Sequence, residues 1–170
     1  MKIDKLIRDV PDFPKKGIIF KDITPLLKDA AGFSETIKQL AAPYKNKNID
    51  KILSMESRGF ILGAAMAIEL GCGFIPVRKK GKLPYTTVRQ EYELEYGTDV
   101  LEIHVDAITK GENVLIVDDV LATGGTAKAV CDLVNKLDGK VAGLRFLIEL
   151  SFLQPREKLK GYDIRSLLIY

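Results

Sequence analysis

From Lys51 onward, apolar and polar positions alternate between short apolar runs and longer stretches with helical spacing. Ile52-Leu53-Ser54-Met55 reads as a buried strand, and Phe60 to Leu70 as a helix. That helix is apolar nearly all round, through Ile61, Leu62, Ala64, Ala65, Met66, Ala67 and Ile68, which predicts burial on every side. Gly73 to Val77 is a second strand. Thr87 to Glu95 and Asp99 to Val105 alternate as a β-hairpin around Tyr96-Gly97-Thr98. Val114 to Val117 is an apolar strand, followed by a helix that places Val130, Leu133, Val134 and Leu137 on one face. Val141 to Leu150 and Ile164 to Tyr170 complete the series. Strands alternating with helices predict an α/β fold with a central, mostly parallel sheet flanked by helices.

The first 50 residues follow another pattern. Ile3 to Val10 predicts a short amphipathic helix ended by Pro11, and Pro11 to Gly17 a turn-rich connector. Ile18 to Pro25 mixes an extended run with a proline stop. A helix from Phe33 to Tyr44 would bury Phe33, Ile37, Leu40, Ala41 and Tyr44. Roughly the first 30 residues read as a piece appended to a single domain covering the chain.

Composition narrows the function classes. The 170 residues carry 26 Lys and Arg against 23 Asp and Glu, a net charge of +3. That is too mild for nucleic acid or a membrane surface as the main partner. The start, Met1 to Leu6, lacks the apolar core of a signal peptide, and no apolar run suffices to span a bilayer, so the expected location is cytoplasmic. Cys72 and Cys131 belong to no Cys-x-x-Cys or Cys/His cluster and read as small buried residues. His104, the one histidine, lies mid-strand without a metal-ligand spacing and reads as structural.

The chemistry concentrates between Val114 and Thr126. Asp118 and Asp119 stand at the carboxyl end of the strand, where open α/β sheets bind ligands. Ala122-Thr123-Gly124-Gly125-Thr126 then leads into a helix. Glycines let backbone N–H groups approach an anion, the helix start adds partial positive charge, and the threonines add hydroxyl donors. Such a loop suits a phosphate monoester. The acid pair would repel phosphate and suits a neutral diol, so the combination describes a cradle for ribose 5-phosphate. The plainer alternative is a βα turn of another doubly wound protein. Neither Gly-x-Gly-x-x-Gly after a strand nor Gly-x-x-x-x-Gly-Lys-Ser/Thr is present.

Two further stretches fit the same rim. Glu56-Ser57-Arg58-Gly59 follows the first strand, and Arg58 can fork onto phosphate oxygens. Arg78-Lys79-Lys80-Gly81-Lys82-Leu83-Pro84 forms a basic, glycine- and proline-punctuated segment opening a flexible loop over 79–97. Alone it would be a solvated surface run. Beside a ribose 5-phosphate cradle it can stabilise a pyrophosphate leaving group and close over it. Glu91, Glu93 and Glu95 share one strand face, opposite Tyr92, Leu94 and Tyr96.

The stretch Val114 to Thr126 resembles the phosphoribosyl diphosphate (PRPP) signature of the type I phosphoribosyltransferases. The resemblance extends through Pro11 to Pro14, Gly17 to Pro25, Glu56 to Phe60, Arg78 to Pro84 and Leu94 to Gly97, nearly the whole chain, to the adenine-specific enzymes of that family. It implies the type I phosphoribosyltransferase fold, with a small N-terminal hood and a flexible β-hairpin loop. It also implies transfer of the phosphoribosyl group of PRPP to adenine, giving AMP and pyrophosphate with Mg²⁺ in purine salvage, by a homodimer. Under it Phe20 stacks on adenine while the backbone of Ile19 and Lys21 reads its edge. Ser57, Arg58, Arg78, Lys79 and Lys82 hold pyrophosphate, and Asp118, Asp119 and Ala122 to Thr126 hold the ribose and 5′-phosphate. Arg58 and Glu95 are the catalytic residues implied, Glu95 acting at N7 of the purine. No protein side chain is expected to bind the metal directly, Mg²⁺ being held mainly by PRPP and water. In the family's hypoxanthine/guanine enzymes an Asp usually stands where this chain has Ala122, which favours adenine over guanine or xanthine. Lys21 and Glu56 depart from a frequent Arg and Asp. A fold relative that senses PRPP while binding nucleic acid is the alternative, and it would be expected to carry an added basic face or domain.

Overall fold

The computed structural model describes residues 2–93 and 97–170. It divides into two compact units, Met1–Gln39 and Leu40–Tyr170.

In the N-terminal unit, a 3₁₀ turn over Ile3–Leu6 is followed by strand β1 (Arg8–Pro11), which pairs antiparallel with β2 (Ile19–Asp22). The helix predicted over Ile3 to Val10 is therefore confined to its first four residues. Pro11 biases Val10 toward extended backbone, and the partner strand supplies cross-strand charge pairs. Arg8 donates to Asp22 at 2.6 and 2.9 Å, and Lys21 meets Asp9 at 2.7 Å. Asp22 also accepts the Thr24 amide at 2.8 Å. That amide and the Arg8 guanidinium draw the Asp22 carboxyl down to about 2. Pro25 opens a helix instead of stopping a strand: α1 spans Thr24–Lys28, with the proline in its first turn, where its missing N–H costs nothing. Helix α2 covers Ala30–Ala41, starting earlier than the apolar spacing suggested because Asp29 accepts the Gly32 amide at 2.7 Å. Pro43 then ends it in a 3₁₀ turn, Ala42–Tyr44.

Among the described residues the second unit holds seven strands: β3 (Lys51–Met55), β4 (Gly73–Lys79), β5 (Thr87–Glu93), β6 (Thr98–His104), β7 (Asn113–Leu121), β8 (Lys140–Glu149) and β9 (Ile164–Ile169). Their order is β5-β6-β4-β3-β7-β8-β9. All neighbours from β4 to β9 pair parallel, and the β5–β6 hairpin adds antiparallel to β4. Helices α3 (Arg58–Leu70) and α4 (Gly125–Lys136) flank the sheet. Leu53, Met55, Ile116, Leu144 and Phe146 join Val130, Leu133 and Val134 of α4 in one buried cluster. Ser54, on the alternate face of β3, lies under Gly63 of α3. Cys131 is buried as expected, while Cys72 is only half-buried.

Three expectations change. β4 runs on through Arg78 and Lys79, which pair with Glu102 and Leu101 of β6, so these two cations sit on a strand instead of a loop. β7 extends to Leu121, so Asp118 and Asp119 are strand residues inside the sheet's carboxyl end. Helix α3 is not buried all round, since Ile61 is 42% and Ile68 85% exposed, with Ala64 between them. Counting apolar residues cannot tell which side of a helix the sheet covers.

A methyl group on Gly63 would overlap the Ser54 hydroxyl and come within 2.8 Å of Ser54 Cβ. Overpacking of this kind costs about 1–3 kcal/mol, so Gly63→Ala is expected to lower the melting temperature by roughly 3–10 °C. Differential scanning calorimetry checks this; an unchanged transition would mean that α3 does not pack on β3 at this spacing.

Candidate active site

The acid pair is set by β7 and covered by the start of α3. Asp118 is half-buried and packs against Gly59, where a Cβ would lie 2.5 Å from Asp118 Oδ1, so only glycine permits the approach. Asp118 Oδ1 accepts the Asp119 amide at 2.9 Å. Arg58, the first residue of α3, places Nε 2.7 Å from Asp119 Oδ2. Burial, with the Asp119 charge alongside, pushes the Asp118 carboxyl well above the ordinary aspartate range. Burial also raises Asp119, opposed by the Arg58 guanidinium. The structure therefore joins Arg58 to the acid pair, a pairing that the sequence reading did not anticipate.

Beyond β7, Ala122 to Gly124 turn into α4. Gly124 stands at φ +81°, and a Cβ there would meet the Pro155 carbonyl at 2.5 Å, so both conformation and space demand glycine. Pro155 precedes Arg156, which grips Glu149 at the end of β8 through two bonds of 2.7 and 2.8 Å. Asp118, Ala122, Thr123, Gly124 and Thr126 line a cleft of about 80 Å³. The first-turn N–H groups of a helix have no partner within it, so this cleft has the polarity to take an anion.

The basic segment is held by carboxylates. Glu56 accepts the Lys79 amide at 2.6 Å and meets Arg78 Nε at 3.1 Å and Lys82 Nζ at 3.0 Å. Burial alone would raise the Glu56 carboxyl, but the Lys79 amide, Lys82 and Arg78 outweigh it and hold it below the usual glutamate range. Lys79 Nζ lies 3.0 Å from Asp99, and Glu102 accepts the Gly81 amide at 3.0 Å. Glu56, Asp99 and Glu102 were missed as organisers of this segment. Their signal is the hairpin register and the position of Glu56 beside β4, neither of which is local in sequence. Ser57 precedes Arg58 after a cis peptide bond with Glu56.

The β5–β6 hairpin packs toward the loop. A Cβ on Gly125 would lie 3.5 Å from the Glu93 carbonyl and 3.9 Å from the Tyr92 ring. Glu91 and Glu93 are exposed, as a solvated strand face requires. Glu95 lies outside the described residues. In the N-terminal unit, Ile19, Phe20 and Lys21 sit on β2, with Ile19 exposed and Phe20 edge-on to Phe13 at 5.2 Å. His104 ends β6 and makes an edge contact with Tyr85 at 5.9 Å.

The carboxyl rim of the parallel strands carries the acid pair, a glycine-rich turn into a helix and a basic segment, an arrangement chemically suited to a phosphorylated, hydroxyl-rich ligand. The phosphoribosyl transferase domain family matches residues 20–167, and the chain belongs to that family. Its particular relatives are adenine phosphoribosyltransferases. That of Thermotoga neapolitana is 60% identical over 170 residues, all of both chains. The crystal structure of the Thermoanaerobacter pseudethanolicus enzyme is 56% identical, with a TM-score of 0.96 over 99% of this chain and 98% of that one. The Saccharomyces cerevisiae enzyme, crystallised with an imino-altritol bisphosphate and adenine, is 40% identical with a TM-score of 0.93, covering 98% of this chain and 97% of that one.

The acid pair opposes folding when charged. A carboxyl whose folded pKa is raised adds its full stability below its unfolded value, and that stability is lost as pH rises through the folded value. Asp118→Asn should therefore raise the melting temperature by a few degrees at about pH 8 and by less at about pH 5. Calorimetry at the two pH values tests the sign; equal shifts would show that Asp118 is not charged at a cost.

Proposed function

We propose that this chain transfers the 5-phosphoribosyl group of PRPP to N9 of adenine, forming AMP and pyrophosphate in purine salvage. The observation that carries the reading is the acid pair and anion loop on one β7–α4 connection, within a chain matching adenine phosphoribosyltransferases over its full length. In the reaction the C1′–O bond to pyrophosphate breaks with its electron pair going to the leaving oxygen, the lone pair on N9 of the 7H tautomer of adenine forms the N9–C1′ bond, and the N7 proton passes to Glu95.

Each role follows from the chemistry available. The main-chain N–H groups and hydroxyls of Ala122 to Thr126 bind the 5′-phosphate, and Asp118 and Asp119 accept from the ribose hydroxyls. Arg58, released from Asp119 as the diol arrives, turns to pyrophosphate with Ser57. Arg78, Lys79 and Lys82 join it. Their present pairs are partly exposed, and such pairs are worth about 0–1 kcal/mol, so a polyanion can displace them. Glu56 then keeps the segment in place through the Lys79 amide. The β5–β6 hairpin serves as the lid that excludes water. Residues up to about 30 act as the hood, Phe20 stacking on adenine and the Ile19 and Lys21 backbone reading its edge. Glu95 accepts a hydrogen bond from the purine at N7 while positive charge develops on the ribose.

Mg²⁺ fits this site as a companion of the substrate. Among the described residues no three His, Cys, Asp or Glu side chains gather into a metal-binding group. The carboxylates nearest the diol, Asp118 and Asp119, would hold it through water or PRPP oxygens. When bound, it offsets the charge of the departing pyrophosphate. The enzyme is proposed to be cytoplasmic; no helix among the described residues is long and apolar enough to cross a membrane. It is also proposed to be a homodimer, with the outward Ile61, Ala64 and Ile68 stripe of α3 as an apolar face suited to burial.

Adenine, hypoxanthine, guanine and xanthine offered separately with PRPP and Mg²⁺ should give AMP alone, read by chromatography. Another nucleotide would keep the cradle and overturn the base assignment. PRPP binding without any product would favour a regulatory protein. In the same assay Glu95→Ala should lower turnover at least about 100-fold, the usual scale of a proton-handling group; wild-type turnover would remove Glu95 from the mechanism.

A further inference from the structure

The basic segment keeps its backbone fixed although its side chains are exchangeable. Each amide from Lys79 to Lys82 has an acceptor: Glu56 Oε1 at 2.6 Å for Lys79, the Val100 carbonyl at 3.1 Å for Lys80, Glu102 Oε2 at 3.0 Å for Gly81 and the Lys79 carbonyl at 3.3 Å for Lys82. Gly81 stands at φ +80° in this turn, and the amide of a turn's second central residue has no partner within the turn. Glu102 supplies one from β6. Its side chain is 1% exposed, and its other oxygen, Oε1, lies 2.7 Å from Arg89 Nε on β5. The Arg89 carbonyl in turn accepts from Lys136 Nζ of α4 at 2.6 Å. A buried carboxylate thus joins the basic turn to the part of the hairpin that α4 holds.

We infer that Glu102 is a positioning residue for the pyrophosphate end of PRPP, holding the Lys79–Lys82 turn in one place while its cations leave their carboxylates for the ligand. This rests on the function proposed above. Glu56 cannot do this alone. It shares its oxygens among the Lys79 amide, Arg78 and Lys82, and the last two are groups that the polyanion draws away. The Gly81 amide and Arg89 are not assigned to the ligand, so they stay on Glu102 when pyrophosphate binds. A fixed turn leaves only side chains to be ordered on binding, whereas a loose one would add the cost of ordering its backbone. Arg89 is what lets this anchor be an acid, because a buried carboxylate without a cation is strongly unfavourable. The sign of the effect separates positioning from charge. Glu102 puts a negative charge behind a segment that takes an anion, so on charge alone its removal would tighten pyrophosphate binding. On positioning, its removal weakens it.

The test uses the full chain, with inorganic pyrophosphate and Mg²⁺ titrated calorimetrically and AMP titrated separately. Glu102→Leu is close to Glu in volume and removes both the acceptor and the charge. It should bind pyrophosphate about 5- to 10-fold more weakly than wild type, the scale of one hydrogen bond, and AMP within about 2-fold. In the charge-neutral double variant Arg89→Leu/Glu102→Gln no cation claims the amide oxygen, which is then free to accept from Gly81. That variant should bind pyrophosphate within about 2-fold of wild type. A merely structural role would weaken AMP and pyrophosphate alike. Unchanged or tighter pyrophosphate binding in Glu102→Leu, equal weakening of both ligands, or a double variant as weak as Glu102→Leu overturns the inference. Should Glu102→Leu fail to fold, hydrogen exchange of the Gly81 amide in wild type, read by NMR, decides. Protection of at least about 10-fold supports the anchor, and exchange at the rate of an exposed amide overturns it. Absence of any pyrophosphate binding in wild type would instead overturn the proposed function, and this inference with it.

Discussion

Two adjacent carboxylates at the carboxyl end of a buried parallel strand make an expensive arrangement, and much of the site is arranged around that cost. Asp119 is buried and Asp118 half-buried, and this partial withdrawal from water raises both of their pKa values. Gly59 lets the start of α3 close over Asp118, and Arg58, the next residue back, brings a guanidinium to Asp119 at 2.7 Å. The acids are thereby ready for a partner that can donate several hydrogen bonds without bringing negative charge. Residues a few positions further on form the opposite kind of surface, a glycine-rich turn into a helix start. A ligand that is neutral and hydroxylated at one end and anionic at the other matches both.

The basic segment obeys the same economy of charge. Arg78, Lys79 and Lys82 are not free cations awaiting a ligand: Glu56 and Asp99 hold them in place on and just beyond β4. Because these pairs are partly exposed, each is weak enough to exchange for a polyphosphate, while the Lys79 amide on Glu56 preserves the backbone geometry. Glu56 joins three partners at once, the Lys79 amide, Arg78 and Lys82. Preorganisation of the segment and its availability to a ligand are therefore compatible.

What could be read from the sequence was what the chain encodes contiguously. The apolar runs of β3, β7 and β8 and the acid pair followed by Thr123 to Thr126 each lie within a dozen residues, so period and composition suffice. The family resemblance then supplied roles that spacing alone leaves open. What was misread depended on partners distant in the chain. Arg8 to Pro11 became a strand because Ile19 to Asp22 pairs with it. Arg78 and Lys79 stayed on β4 because β6 lies beside them. Glu56 gained its role only through β4, and the exposure of Ile68 depends on which face of α3 the sheet covers.

If β7 and the turn into α4 form one cradle for ribose 5-phosphate, a crystal structure of the chain with AMP should show the 5′-phosphate on the main-chain N–H groups of Thr123 to Thr126, with the 2′- and 3′-hydroxyls within hydrogen-bond distance of Asp118 and Asp119. A phosphate seated instead on Arg58 and Arg78, with the ribose hydroxyls turned away from the acid pair, would contradict it.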